Sequence, residues 1–150
     1  MNLQEEIKAL KQRIAELEEI AKEEQEFPQV GDEYWRIDDK GSVDNSLYND
    51  YYTDNNRQSI GNFFQTEQQA EFAVEKLTVE AELRKFSIPF KRDTLNFIMC
   101  LDTDEDKICR ETKRLMVQGA LYFENIYQLD KAIEAVGIER IKKYIFGVEE

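Results

Sequence analysis

From the start of the chain, apolar residues recur at alternating spacings of four and three: Leu3, Ile7, Leu10, Ile14, Leu17 and Ala21. That period predicts a helix over residues 1–27, with Ile7, Ile14 and Ala21 at heptad position a and Leu3, Leu10 and Leu17 at d. Isoleucine at a with leucine at d favours a parallel two-stranded coiled coil. The flanks agree, since Glu6 at g faces Lys11 at e of a second chain and Arg13 at g faces Glu18. About three heptads are marginal for a helix alone, and Ile20 at g widens the stripe. An amphipathic helix lying on its own domain is therefore the competing reading. Phe27-Pro28 ends the segment, because a residue before proline is pushed out of the helical region.

Beyond Pro28 the pattern shortens to that of strands. Tyr34 to Asp38 reads as a strand with Trp35 and Ile37 on one core-facing side, Asp38 to Gly41 as a turn, and Ser42 to Tyr48 as the return. Asn49 to Ser59 reads as a polar loop and Ile60 to Phe64 as a third short strand. Thr66 then caps a helix, with Gln69 completing a capping box. Its predicted apolar stripe is Ala70, Ala73, Val74, Leu77 and Ala81, and Ser87-Ile88-Pro89 ends it.

The order then recurs. Leu95, Phe97, Met99 and Leu101 alternate as one strand face, Thr103 to Lys107 is a turn, and Ile108 to Thr112 returns. Gly119 to Phe123 reads as a third strand. Asn125 caps the next helix, with Gln128 at the third position completing a second capping box, and Leu129, Ala132, Ile133 and Val136 form its stripe. Gly137 punctuates, and Ile138 to Phe146 reads as further helix. At an offset of 59, Phe63-Phe64, Thr66, Gln69 and Ala73 meet Tyr122-Phe123, Asn125, Gln128 and Ala132. The expected fold is α+β: an N-terminal coiled-coil helix (1–27), then a domain over 28–150 built as a tandem βββα repeat (about 30–88 and 92–148), its antiparallel sheet covered by helices. A chance resemblance of two strand-then-capped-helix units is the alternative.

Composition bears on chemistry mainly by what is missing. The 150 residues contain no histidine, which removes Ser-His-Asp and Cys-His nucleophiles, histidine bases and His-ligated zinc. Cys100 and Cys109 are too few for a disulfide framework and read as reduced thiols. With no membrane-length apolar run and no h-region near the start, a cytoplasmic protein is expected. The net charge is −12. Residues 1–28 carry four basic and eight acidic groups and residues 29–60 carry three and seven, so two thirds of the net charge lies in the first 60 residues. Such a field repels phosphate backbones and attracts basic surfaces.

Motifs that could carry catalysis do not survive inspection. Asp102-Thr103-Asp104-Glu105-Asp106 starts like a calcium loop, but Lys107 and Lys113 stand where glycine and glutamate are required. No phosphate-cradling glycine motif occurs; Gly61 and Gly119 read as bulges or close-packing positions. No cofactor, metal site or catalytic dyad is expected. The unusual stretch is Asp44 to Asp54, which mixes tyrosines with acids. Tyrosines anchor interfaces, and spaced carboxylates can stand in for a phosphate backbone. Asp44, Asp50, Tyr51, Tyr52 and Asp54 are the candidate partner-binding residues, against the plainer reading of a loop with inward-packed tyrosines. Basic residues at Arg84-Lys85, Lys91-Arg92, Lys113-Arg114 and Arg140/Lys142/Lys143 could form a phosphate patch or pair as surface ions near helix ends.

The run from Gly61 to Leu77, and the tail from Gly119 to Phe123 through Ala132-Ile133-Glu134 and Arg140 to Val148, resemble stretches of small phage and prophage accessory proteins of Gram-positive bacteria. The resemblance covers about residues 30–148. It implies a viral accessory role and brings no catalytic residues. By analogy with anti-CRISPR proteins it implies an anti-defence inhibitor. The βββα unit also looks loosely like the arm-type DNA-binding domains of integrases, from which the acidic charge departs. The expected function is non-enzymatic: a homodimer, joined through Leu3, Ile7, Leu10, Ile14 and Leu17, that covers the basic nucleic-acid-binding surface of a host protein. The alternatives are a nucleic-acid-binding module using the second half's basic residues, or a coiled-coil assembly protein.

Overall fold

The computed structural model describes residues 2–23 and 26–149. Among them the chain forms five helices and two antiparallel two-stranded sheets, an α+β arrangement. The order is α1 (Leu3–Glu23), β1 (Glu33–Ile37), β2 (Val43–Leu47), α2 (Tyr52–Ser59), α3 (Glu67–Arg84), β3 (Asn96–Asp102), β4 (Lys107–Lys113), α4 (Ile126–Val136) and α5 (Ile138–Tyr144). No helix among the described residues is long and apolar enough to cross a membrane.

Helix α1 starts on a reciprocal cap. The Glu5 N–H donates to Asn2 Oδ1 and the Asn2 N–H to Glu5 Oε2, at 2.9 and 3.1 Å. Every residue from Asn2 to Lys22 is exposed, and the apolar seam runs from 45% exposure at Ile7 and Ile20 to 72% at Leu3. The reading in which this stripe is covered by its own domain therefore does not hold. Glu24 and Gln25, at the end of the expected helix, lie outside the described residues.

Each hairpin leads into a capped helix, and both expected third strands shrink to isolated bridging pairs. Trp35 bridges Phe64, while Phe97 bridges Phe123 and Ile88 bridges Tyr122. Two residues after each aromatic bridge the next helix begins. Thr66 Oγ1 accepts from the Gln69 N–H, and the Gln69 side chain accepts from the Thr66 N–H. Asn125 Oδ1 accepts from the Gln128 N–H at 2.9 Å, without the reciprocal half. The expected loop after Asn49 contains α2, a correction whose cause is Asp54 (below).

The main core lies where α3, α4 and α5 pack on the second hairpin. Val79, Leu83, Ile108, Phe123, Leu129, Ala132, Ile133, Val136 and Ile141 form it. The expected stripe of α4 is buried throughout. Gly137, at φ +99°, turns the chain sharply into α5. The stripe read for α3 needs correction: Leu77 and Ala81 are exposed, and Ala70, Val79 and Leu83 are the buried residues. Two more faces differ. In β1 the fully buried residue is Tyr34, with Trp35 and Ile37 half-buried. In β3, Ile98 and Asn96 are buried opposite the half-buried Phe97 and Met99. Asn96 tolerates burial because its carboxamide bonds the Lys91 N–H and C=O at 2.9 and 2.8 Å, pinning the lead-in to the strand.

The corrected face of α3 sets an expectation for denaturant unfolding. Leu83→Ala, at a buried position of α3, should cost about 2–5 kcal/mol through cavity formation, whereas Leu77→Ala should stay within about 1 kcal/mol.

Candidate functional site

The acidic stretch is built around one buried carboxylate. Asp54 sits in the first turn of α2 with 4% exposure. Its Oδ1 accepts from the Tyr34 hydroxyl at 2.6 Å, and its Oδ2 accepts from the Asn49 and Tyr51 N–H groups at 3.0 and 3.3 Å. The Arg57 guanidinium donates to the Tyr34 oxygen at 2.7 Å and lies 3.9 Å from the carboxylate. A buried polar group must find partners or lose about 1–3 kcal/mol, and here the partners are the Tyr34 hydroxyl of β1 and two main-chain N–H groups leading into α2. The Tyr34 hydrogen bond, followed by that of the Asn49 N–H, holds the Asp54 carboxyl below the usual carboxylate range against the opposing effect of burial. Beneath it the Tyr34 ring stacks on Phe63 at 4.1 Å between centroids, and Phe27 and Tyr48 pack on the same phenyl ring.

This network decides which candidate residues can meet a partner. Asp54 does not: it is a buried anchor, and its assignment to partner binding is corrected on that ground. The rest of the set lies outward. Tyr51 and Tyr52 are 67% and 81% exposed. Asp44 keeps about half its side chain accessible while accepting from Arg36 at 3.1 Å. Asp50 is exposed at φ +57° and is held by the Tyr48 hydroxyl and the Asn55 carboxamide, at 3.1 and 3.0 Å. Burial, then the neighbouring Asp50 carboxylate, raises the Tyr48 phenol, which keeps it a donor. The Glu33 carboxylate adjoins on β1, bonded by the Asn45 carboxamide.

Sequence reasoning missed the anchor. The available signal was an aspartate at the third helical position of Tyr52–Ser59, three residues ahead of Arg57. That is an N-terminal helix signature, hidden among so many other acids.

Four of the nine candidate basic residues of the patch are paired with acids. Arg140 makes a two-pronged pair with Glu82 at 2.8 and 3.2 Å, Lys142 meets Asp106 at 3.0 Å, Lys113 meets Glu111 at 3.0 Å and Lys91 meets Glu124 at 3.8 Å. Cys100 and Cys109 stand directly opposite each other across β3 and β4 as free thiols. The Asp102 carboxylate accepts from the Asp104 and Glu105 N–H groups, so the calcium-like stretch is a hairpin turn. Among the described residues no cluster of three or more histidine, cysteine or acidic side chains could hold a metal ion.

Comparison with family models, curated proteins and solved structures gives no match to this chain.

Because the folded Asp54 carboxyl has the lower pKa, its stabilising contribution is complete above the unfolded carboxyl's pKa and is lost as pH falls through the folded value. Asp54→Asn should cost about 1–3 kcal/mol at neutral pH. Urea unfolding of that variant should also depend less on pH than the parent chain as pH falls below about 4.

Proposed function

We propose that this chain is a non-enzymatic binding protein of the phage accessory kind. It acts in the host cytoplasm by covering the basic surface of a nucleic-acid-handling host protein. The observation that carries the reading is the face made by Asp44, Asp50, Tyr51 and Tyr52, with its two most exposed tyrosines beside carboxylates. Asp54 fixes the backbone at Asn49 and Tyr51, which lowers the cost of ordering this segment at the moment of binding. Tyrosine supplies apolar area with a polar tip, and the acids supply a field complementary to a basic groove. The ion pairing of Lys91, Lys113, Arg140 and Lys142 favours this reading over phosphate binding by the second half.

The finer architecture belongs to the same proposal. The two hairpins, each bridged once to an aromatic residue two positions before a helix cap, read as two copies of one unit. The seam of α1 reads as half of a parallel coiled coil whose other half is a second copy. Its support is the exposure of Leu3, Ile7, Leu10, Ile14 and Leu17 and the opposite charges at the g and e positions.

Two measurements test these readings. Asp44→Lys with Asp50→Lys should weaken capture of a host protein at least tenfold, and duplex DNA should compete for the same captured protein. Capture that ignores both would overturn the occlusion mechanism. Ile7→Glu with Ile14→Glu should give monomers by sedimentation equilibrium with an unchanged unfolding midpoint for residues 28–150. A parent chain that sediments as a monomer at micromolar concentration would refute the coiled coil.

A further inference from the structure

The two hairpins close their outer edges differently. In the first, Trp35 exchanges two main-chain hydrogen bonds with Phe64, both 2.8 Å. Two residues along β1, the Ile37 N–H donates to Asn62 Oδ1 and the Ile37 carbonyl accepts from Asn62 Nδ2, both at 2.7 Å. One side-chain carboxamide thus does the work of the next residue of a third strand. In the second hairpin, Phe97 exchanges the equivalent pair with Phe123, at 3.4 and 2.9 Å. Two residues along β3 is Met99, and the residue placed as Asn62 is placed, two before the bridging aromatic, is Leu121. Its side chain can neither donate nor accept.

The backbone does not compensate. Residues 117–121 turn away from β3: the Ala120 N–H bonds the Val117 carbonyl, Gly119 sits at φ +73°, and the Tyr122 hydroxyl holds both main-chain groups of Val117 at 2.6 and 3.0 Å. Strand alternation points the N–H and C=O groups of Met99 and Leu101 to the same side as those of Phe97. No hydrogen bond joins them to residues 117–121. Where the chains part lies a cavity of about 640 Å3, walled by Leu83, Met99, Leu101, Leu121, Ile145 and Phe146.

We infer that this open edge of β3 is a binding site for an extended, uncharged apolar peptide segment of another protein, taken up as an added strand. Main-chain amides of such a segment would give Met99 what Asn62 gives Ile37, and would repeat the pair at Leu101. A two-residue repeat of donor and acceptor matches an extended chain and exceeds what one small amide can satisfy. Alternate side chains of the segment would enter the cavity. The charged side chains at its wall are Glu80 and Arg84, of opposite sign, so the groove is complementary to a neutral strand. The helical, acidic α1 of a second copy meets neither requirement. This surface is separate from the acidic face and stands or falls independently of it.

The test is amide hydrogen exchange by NMR on the full chain, with and without a terminally blocked hexapeptide of alternating valine and threonine at millimolar concentration. The peptide should slow exchange at Met99 and Leu101 at least tenfold, and methylating its alternate amide nitrogens should abolish the effect. Leu121→Asn, which installs the carboxamide found at Asn62, should protect Met99 without peptide and block the peptide's action. If that variant unfolds, the peptide arms on the parent chain still decide. Met99 and Leu101 already protected as well as Ile98 in the free chain would overturn the proposal, as would no protection by the peptide or equal protection by its methylated form. Protection that grows with protein concentration alone would assign the edge to a second copy instead.

Discussion

A two-stranded hairpin cannot stand alone in water: it has two open edges and too little buried face. That constraint shapes everything after residue 28. Both hairpins begin to meet it with the same device, one aromatic residue whose backbone pairs once with the outer edge, followed two positions later by a helix cap. Because Phe64 leads to Thr66 and Phe123 to Asn125, the residue that satisfies the sheet also sets where the helix begins and which way it departs. The core of Val79, Leu83, Leu129, Ile133 and Ile141, joined by Ile108 of β4, then supplies the burial that the second hairpin lacks.

The same economy explains the acidic face. Asp54 is expensive to bury alone, yet it satisfies Tyr34, Asn49 and Tyr51 at once and so converts a polar stretch into a fixed surface. Removing its charge from the acidic face costs little electrostatically, because Asp44, Asp50 and Glu33 remain outward. The field depends on the number of exposed acids, whereas the geometry depends on the one that is hidden.

What the sequence made legible follows from the range of the physics involved. Helix caps, hairpin turns and the stripe of α4 are local: Thr66, Asn125, Gly137 and the Leu129–Val136 pattern each depend on residues within a few positions. The exposed seam of α1 was equally readable as a period. The failures came where tertiary contacts decided. Leu77 belongs to the apolar period of α3 but faces solvent, since α4 and α5 pack on the side that carries Val79 and Leu83. The expected third strands shortened because a strand needs a partner along its length: in the first half Asn62 replaces that partner with a side chain, and in the second the chain turns away from β3 at Gly119. Asp54 looked like its acidic neighbours because burial is a property of the fold and not of the residue type.

Helix α1 shows why exposure and charge must be weighed together. A helix of about 20 residues in water is only marginally stable without packing, and six large apolar side chains on one stripe gain nothing while they face solvent. Their burial against a like helix would bring together two acidic segments, with only the g-to-e pairs offsetting the repulsion. Screening by salt reduces that repulsion more than it weakens the close pairs, so self-association of α1 should tolerate or gain from ionic strength. Attraction between the Asp44–Tyr52 face and a basic surface runs the other way and fades as salt rises. Under the proposed roles the two surfaces of one acidic chain would respond to the same variable with opposite sign, and that difference would separate self-assembly of the helix from recognition by the acidic face.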